Sequence, residues 1–349
     1  MYISTLPTNQ ELLTPFQWTA TELSLVEGLN LGHAVNGRRE LWHREWEEVE
    51  RILKGVVPDG ALNWDDYLLA NTYISSRAFP SSLLNPSAST TPINPSHLDA
   101  KSSSENQNEQ SSVPANEVTP KSYPVLIPGL DTLNHRRNQA VTWTSVPSTE
   151  SNPGPEASAE RSVGLVLRSE TEAGEQVFNN YGPKGNEELI LGYGFSLPEN
   201  PDDTLALKLG IPEHTLTPYV REALSRLPSD TQTPPLDRTW YIPRSGDLPA
   251  DLFDIVRVVL AVQGPQSVEE EEELEMDVTG LLLEMVQTKL ERLNELLERN
   301  EGIVERAEVR TEVWDMVQDY VQGQMDILAA CNAGLERRMD ALEGAGEGE

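Results

Sequence analysis

Of the 349 residues one is a cysteine, Cys331, which excludes an intrachain disulfide framework and a zinc site of clustered thiolates and fits a reducing compartment. Aromatic residues make up 6% of the chain, and basic ones are scarce: 26 Lys plus Arg stand against 57 Asp plus Glu, for a formal net charge of −31. That balance repels nucleic acid and anionic membrane surfaces and favours neutral or basic partners. Long hydrophobic runs are missing as well. No stretch reaches the ~18 apolar residues of a membrane span, and the opening MYISTLPTNQELL has neither the basic start nor the apolar centre of a signal peptide. The expectation is an intracellular protein, cytoplasmic or nuclear, with no membrane span. No internal repeat is visible, which sets solenoids aside. With 38% hydrophobic residues, the chain is long enough to fill the cores of two ordinary domains.

Residues 1–79 read mainly as helix. A Thr19-x-x-Glu22 capping box opens TATELSLVEGL, and Trp42, Trp46, Val49 and Leu53 form one stripe of a 3.6-residue period in the next helix. A third pattern runs from NWDDYLLA through Ser76 and Arg77 to Phe79, with Pro80 as its expected end. Residues 80–122 and 147–160 are rich in Ser, Pro, Asn and Thr and are expected to be disordered insertions within one domain. Between and after them come strand patterns: YPVLIPGLDTLNH, AVTWTSV, SVGLVLRS, then a turn at Glu172-Ala173-Gly174 into EQVFNNYG.

From about residue 200 the chain is expected to be helical again. The segment after 264 carries seven Lys plus Arg against 23 Asp plus Glu, about half the net charge. Its patterns Val286, Leu290, Leu293, Leu297 and Val309, Val313, Met316, Tyr320, Ile327 predict a helical hairpin, packed within the chain rather than as a coiled-coil dimer because the heptad seam is short. His43 and Glu47 share a helix face that reads as solvated; with no second cluster beside them, no metal site is expected. The Glu269–Glu273 run reads as a solvated loop and Cys331 as an inert core residue.

The residues that stand out lie between 121 and 195. PVLIPGLDTLNHRRN leads an apolar strand through a Pro-Gly turn to Asp131, Asn134 and His135. About 45 residues later, EQVFNNYGPKGNEELILGYGF ends a strand on Asn179-Asn180-Tyr181-Gly182 and then carries Asn186, Glu187, Leu189, Tyr193, Gly194 and Phe195. In this order the segments resemble the SET-domain protein methyltransferases of the class related to the Rubisco large-subunit lysine methyltransferase, with D-x-x-N-H, N-x-Y-G and N-x-E-L-L-x-x-Y-G-F as shared patterns. Looser resemblance extends to YISTLP, TPFQW, NWDDYLLA and Ser76-Arg77-Ala78-Phe79, and to Tyr320-Val321-Gln322-Gly323-Gln324 with Ile327-Leu328.

The resemblance implies an α+β fold. A SET domain with a helical insert (1–79) would occupy 1–199, and an all-α substrate-binding domain 200–349. Members of the class carry strands with a G-x-G turn upstream of the segment that corresponds to YISTLP, with which this chain starts, so the expected SET domain is partial. The resemblance also implies S-adenosylmethionine as cofactor and a lysine of a protein substrate, possibly a basic one, as acceptor. Tyr181 would be the catalytic tyrosine at the cofactor. Asp131, Asn134 and His135 would be cofactor-binding, with Asn134 and His135 contacting its methionine and adenine parts. Arg77 would reach toward its carboxylate, and Phe178 and Tyr193 would line the lysine channel. Residue chemistry agrees: methyl transfer from a sulfonium to an amine needs alignment and a partly dry channel more than acid or metal assistance, and a guanidinium meets a carboxylate with a planar fork. Two alternatives stay open, a histidine acceptor and a catalytically inactive module that binds a protein partner.

Overall fold

A computed structural model describes residues 2–58, 60–84, 123–147, 161–227, 234–261, 268–304 and 308–346. Most of the two Ser/Pro-rich insertions, 85–122 and 148–160, lies outside the described residues. The chain divides into two compact units that interleave in sequence: 1–17, 35–184 and 191–194 form the first, and 18–34, 185–190 and 195–349 the second. The boundary expected from sequence falls at one position, between 199 and 200.

In the first unit the helical patterns are present. Helix α2 spans Asn30–Leu53, and α3 spans Trp64–Arg77 behind an Asn63 cap that accepts a hydrogen bond from Asp66 N at 3.0 Å. Trp42 on the predicted α2 stripe is buried and meets the Phe16 ring at a centroid distance of 4.5 Å. Helix α3 stops at Arg77, earlier than Pro80. Phe79 precedes a proline and so disfavours helix, and Ala78–Pro80 instead forms strand β1, paired antiparallel with β2, Pro124–Leu126.

A longer hairpin joins β3 (Val141–Pro147) and β4 (Arg161–Leu167), with Val141 opposite Leu167 and Trp143 opposite Leu165. Phe79, Leu83, Val141 and Trp143 make the buried cluster beneath these strands, the Phe79 and Trp143 rings edge to face at 5.1 Å. The turn at Glu172 is present, with Glu175 N bonded to Glu172 O at 3.1 Å, but no strand follows it. Residues 175–182 are irregular, and in place of a ladder they form one parallel bridge, His135 with Asn179. Asparagine side chains take the backbone groups a ladder would use: Asn179 Oδ1 accepts from Asn180 N at 2.8 Å, and Asn180 Oδ1 from Gly182 N at 2.9 Å.

The second unit opens with the capping box: Glu22 N donates to Thr19 Oγ1 and Thr19 N to the Glu22 carboxylate. Its helix, α1, is short, Ala20–Ser24. Burial raises the Glu22 pKa, but the Arg310 guanidinium and the Thr19 and Arg310 backbone N–H groups outweigh that and leave it below the ordinary value. The region after 200, expected to be all helix, contains one antiparallel pair, β5 (Thr204–Lys208) with β6 (Thr239–Pro243). Both strands alternate buried and exposed residues, a period-2 signal that a reading for helix passes over.

Helices α4 (Asn186–Tyr193), α5 (Pro218–Ser225) and α6 (Ala250–Ala261) precede the predicted hairpin of α7, Val268–Val304, and α8, Thr311–Gly346. Val286 and Leu293 on α7 and Val313, Met316, Tyr320 and Ile327 on α8 are buried as their spacing predicts. Leu296 is buried where the heptad reading places Leu297, which is half-buried. Cys331 is 1% exposed, and burial pushes its thiol up to about 11. No helix among the described residues is long and apolar enough to cross a membrane.

Candidate active site

The two halves of the 121–195 pattern meet through backbone bonds before any side chain is considered. Asn179 N donates to Asn134 O at 2.8 Å and Arg136 N to Asn179 O at 2.9 Å, which clamps the D-x-x-N-H loop against the N-N-Y-G loop. The buried Asn179 side chain secures this clamp: its Oδ1 accepts from Trp143 Nε1 at 2.9 Å, tying the loop to β3. Asn180 donates through Nδ2 to Gln139 O at 3.3 Å. Of the two asparagines left open by the pattern, Asn179 makes the bridge.

Tyr181 follows directly. Its backbone N–H donates to His135 Nδ1 at 3.0 Å, which requires that nitrogen to be unprotonated, and its hydroxyl donates to Leu133 O at 2.9 Å. The phenol ring stacks with two others, His135 at 5.1 Å and Tyr193 at 4.8 Å between centroids, tilted to it by 29° and 24°. Burial, the neighbouring Tyr193 and Asp131 outweigh the opposing charge of Arg77 and push the Tyr181 phenol up to about 12. It is therefore a neutral hydroxyl across the physiological range, with its proton committed to Leu133 and its lone pairs directed elsewhere.

Gly194, next to Tyr193, has φ +76, and a Cβ there would lie 2.7 Å from the backbone of Leu13 and Thr14. The Tyr-Gly-Phe pattern thus records a close approach to the Leu13-Thr14 segment.

Asp131 anchors the other side. Its carboxylate is 1% exposed, accepts the Tyr2 hydroxyl at 2.6 Å and Gly129 N at 3.1 Å, and faces Arg77 Nη1 at 3.4 Å. Arg77 also donates to Asp131 O at 3.3 Å. The Tyr2 phenol is raised to about 12 by burial and the Asp131 carboxylate. Arg77 Nε is buried with no hydrogen-bond partner among the described residues. The remaining predicted residues sit nearby in the same unit. Asn134 is exposed and contributes its carbonyl to the clamp, Phe178 lies beneath the Arg136 guanidinium at 3.9 Å, and Lys184 stands 5.8 Å from the Tyr193 ring. Sequence reasoning missed Tyr2 and Leu133, the one bonded across 129 positions and the other acting through a carbonyl that any residue carries.

His43 and Glu47 form an exposed pair at 3.4 Å, and no group of three metal-ligating side chains occurs among the described residues.

Asn186 and Glu187, which follow the N-N-Y-G loop, do other work, in the second unit. Asn186 closes a loop by accepting from Leu197 N at 2.8 Å and donating to Leu197 O at 2.9 Å. Asp203 Oδ1 accepts Asn186 N at 2.6 Å, and Glu187 accepts the Tyr320 hydroxyl at 3.0 Å, which itself accepts from Leu31 N. Burial raises the Glu187 carboxyl. The Tyr320–Gln324 pattern explains itself here: Gly323 admits Asp203, whose Oδ2 would clash with an added Cβ, and Gln324 donates to Thr204 O at 3.1 Å. Burial pushes Asp203 up to about 6 against the Asn186 hydrogen bond and the Arg244 charge.

No family model matches the chain. It is 30% identical over 268 residues to the ribosomal lysine N-methyltransferase set10 of Schizosaccharomyces pombe, a match covering 77% of this chain and 40% of that protein. It is 25% identical over 245 residues to ribosomal lysine N-methyltransferase 1 of Saccharomyces cerevisiae, covering 60% and 34%. The chain therefore spans 40% or less of the length of these curated relatives. Among solved structures it superposes on the SET domain of LSMT bound to lysine and AdoHcy with a TM-score of 0.64, and on Rubisco LSMT bound to AdoMet with a TM-score of 0.60. Each is 20% identical, and each match covers 98% of this chain and 71% of the other. The chain shares the fold of Rubisco LSMT, a SET domain with a helical C-terminal region, and is similar in sequence to ribosomal lysine N-methyltransferases.

Proposed function

We propose that this chain is an S-adenosylmethionine-dependent protein-lysine N-methyltransferase acting inside the cell on a basic protein substrate, such as a protein of the ribosome. In this reading residues 1–199 form the catalytic SET part and 200–349 the substrate-recognition part. The observation that carries it is the Tyr181 phenol, neutral and stacked with His135 and Tyr193, its hydroxyl hydrogen committed to Leu133 O. The sequence likeness to lysine N-methyltransferases supports the acceptor, and the net charge of −31 supports a basic substrate.

The residues present fit the cofactor. Arg77 Nε is a buried donor without a partner, the kind of group a carboxylate satisfies, while its Nη1 is held by Asp131. When bound, S-adenosylmethionine supplies a methyl group on a cationic sulfonium. Tyr181 presents oxygen lone pairs of a fixed hydroxyl to polarised C–H groups, a weak contact whose value lies in direction. Tyr193 and Phe178 offer aromatic walls that strip water from an incoming amine.

With its pKa near 12, Tyr181 does not take the proton of a lysine at neutral pH, so the acceptor reacts after losing it to solvent. The rate is accordingly expected to rise with pH toward the ordinary lysine value, about 10.4, without a tyrosine limb below it.

The test is transfer of labelled methyl from S-adenosylmethionine to purified ribosomal subunits, with the modified residue identified by mass spectrometry. Label on lysine, lowered about 10²-fold by Tyr181→Phe with melting temperature preserved, supports the reading. A folded chain that neither transfers label nor binds S-adenosylmethionine in a calorimeter overturns it.

A further inference from the structure

The second unit contains a cavity of about 460 Å³ that the proposed methyl transfer does not use, of a size that ordinarily accepts a ligand. Its floor is apolar, made by Leu205, Leu293, Leu296 and Leu328. Its rim concentrates cations in a chain that is strongly acidic: Lys289, Arg292 and Arg299, three of the seven basic residues after position 264, line it beside two carboxylates, Glu27 and Glu295. We propose that this cavity is a docking groove for a short acidic peptide segment of a partner protein, with apolar side chains on the leucine floor and carboxylates on the Lys289–Arg299 rim.

Spacing selects an extended peptide over a single small anion. Lys289 and Arg299 are ten positions apart on α7, about 15 Å at 1.5 Å per residue. An extended chain covers that span in about five residues, with alternate side chains turned to the floor. Charge state supports the same occupant. Among the described residues neither Lys289 nor Arg292 has a carboxylate within ion-pair distance, and burial together with Arg292 lowers the Lys289 pKa, the condition an incoming carboxylate relieves. Arg299 bonds to neutral groups, Ser24 O and Asn300 Oδ1, and among the described residues has no carboxylate within ion-pair distance.

A third observation is independent of charge. Gln324 is 4% exposed and lines the cavity; its Nε2 is spent on Thr204 O, while its Oε1 is buried with no partner among the described residues. A peptide N–H is the donor that this acceptor lacks. Glu27 and Glu295 also stand on the rim and restrict where carboxylates are welcome, so the groove selects a pattern rather than bulk negative charge.

The experiment uses the full chain and a fluorescein-labelled peptide of alternating aspartate and leucine, read by fluorescence anisotropy at low salt. Saturable binding is expected, weakened roughly tenfold or more when Lys289→Gln and Arg292→Gln are combined, and roughly tenfold when leucine is replaced by serine in the peptide. Both substitutions lie on the rim and keep the leucine floor, and a circular-dichroism melt verifies the fold. Equal binding of a lysine-leucine peptide, indifference to the paired glutamine substitutions, or full affinity for the leucine-free peptide each overturns the proposal.

Discussion

The two units spend their polar side chains in different ways. In the first, the loop that carries Tyr181 is held by side-chain hydrogen bonds to backbone groups: Asn179 to Asn180 N, Asn180 to Gly182 N, Tyr181 to Leu133 O. In the second, charged side chains bridge elements distant in sequence: Glu22 to Arg310, Asp203 to Asn186, Arg244 to Asp326. The first arrangement fixes one ring to high precision over a few residues. The second holds long helices whose apolar stripes alone would tolerate sliding. Precision at a site comes here from backbone geometry, and rigidity of a scaffold from buried polar staples.

Four variants sharpen or break that contrast. Gly323→Ala sets a Cβ against Asp203 Oδ2 and is expected to destabilise the second unit by about 3 kcal/mol, measured by denaturant unfolding. A cost near zero would mean that the Asp203 staple is dispensable. Asn179→Ala leaves Trp143 Nε1 and Asn180 N without their acceptor, an expected loss of about 2 kcal/mol, together with loss of S-adenosylmethionine binding. Binding that survives in the variant would separate the clamp from the site.

Asp203 supplies a pH test. Its folded pKa, about 6, is raised above the ordinary 3.8, so the folded state holds a proton that the unfolded state has released between those values. Its contribution to stability is fully present below about pH 4 and is lost as pH rises through about 6. Melting temperatures from pH 4 to 7 should show this component in the parent and lack it in Asp203→Asn, and parallel curves would refute the assignment. The smallest effect is a gain: Gly37→Ala, on the exposed face of α2 with nothing within 4 Å of the new methyl, should add about 1 kcal/mol of stability. The same exchange thus takes opposite signs at an open and a stapled helical glycine.

Much of the fold was legible because helix periodicity and capping are local signals. The Thr19 box, the Trp42 stripe and the α7–α8 hairpin follow from spacing alone. The β5–β6 pair was not, since two strands of five residues 30 positions apart look like breaks between helices until they pair. Residues 175–182 failed in the opposite direction. A run that reads as strand is held irregular by asparagines that serve their own backbone. In the site, Tyr181, His135 and Tyr193 were legible through their pattern, whereas Tyr2, joined to Asp131 from the far end of the unit, carried no signal of its partner.

The amino-acid order by itself determined the helices, the acidic character and the set of side chains available to the proposed site, because each depends on neighbours within a few residues or on composition alone. Only the tertiary structure decided which asparagine makes the bridge, that burial pushes the Tyr181 phenol up to about 12, and that the basic residues of α7 line one groove with Leu205 and Leu328 from other elements. Those properties depend on burial and on groups brought together across tens to hundreds of residues, and neither is written in local spacing.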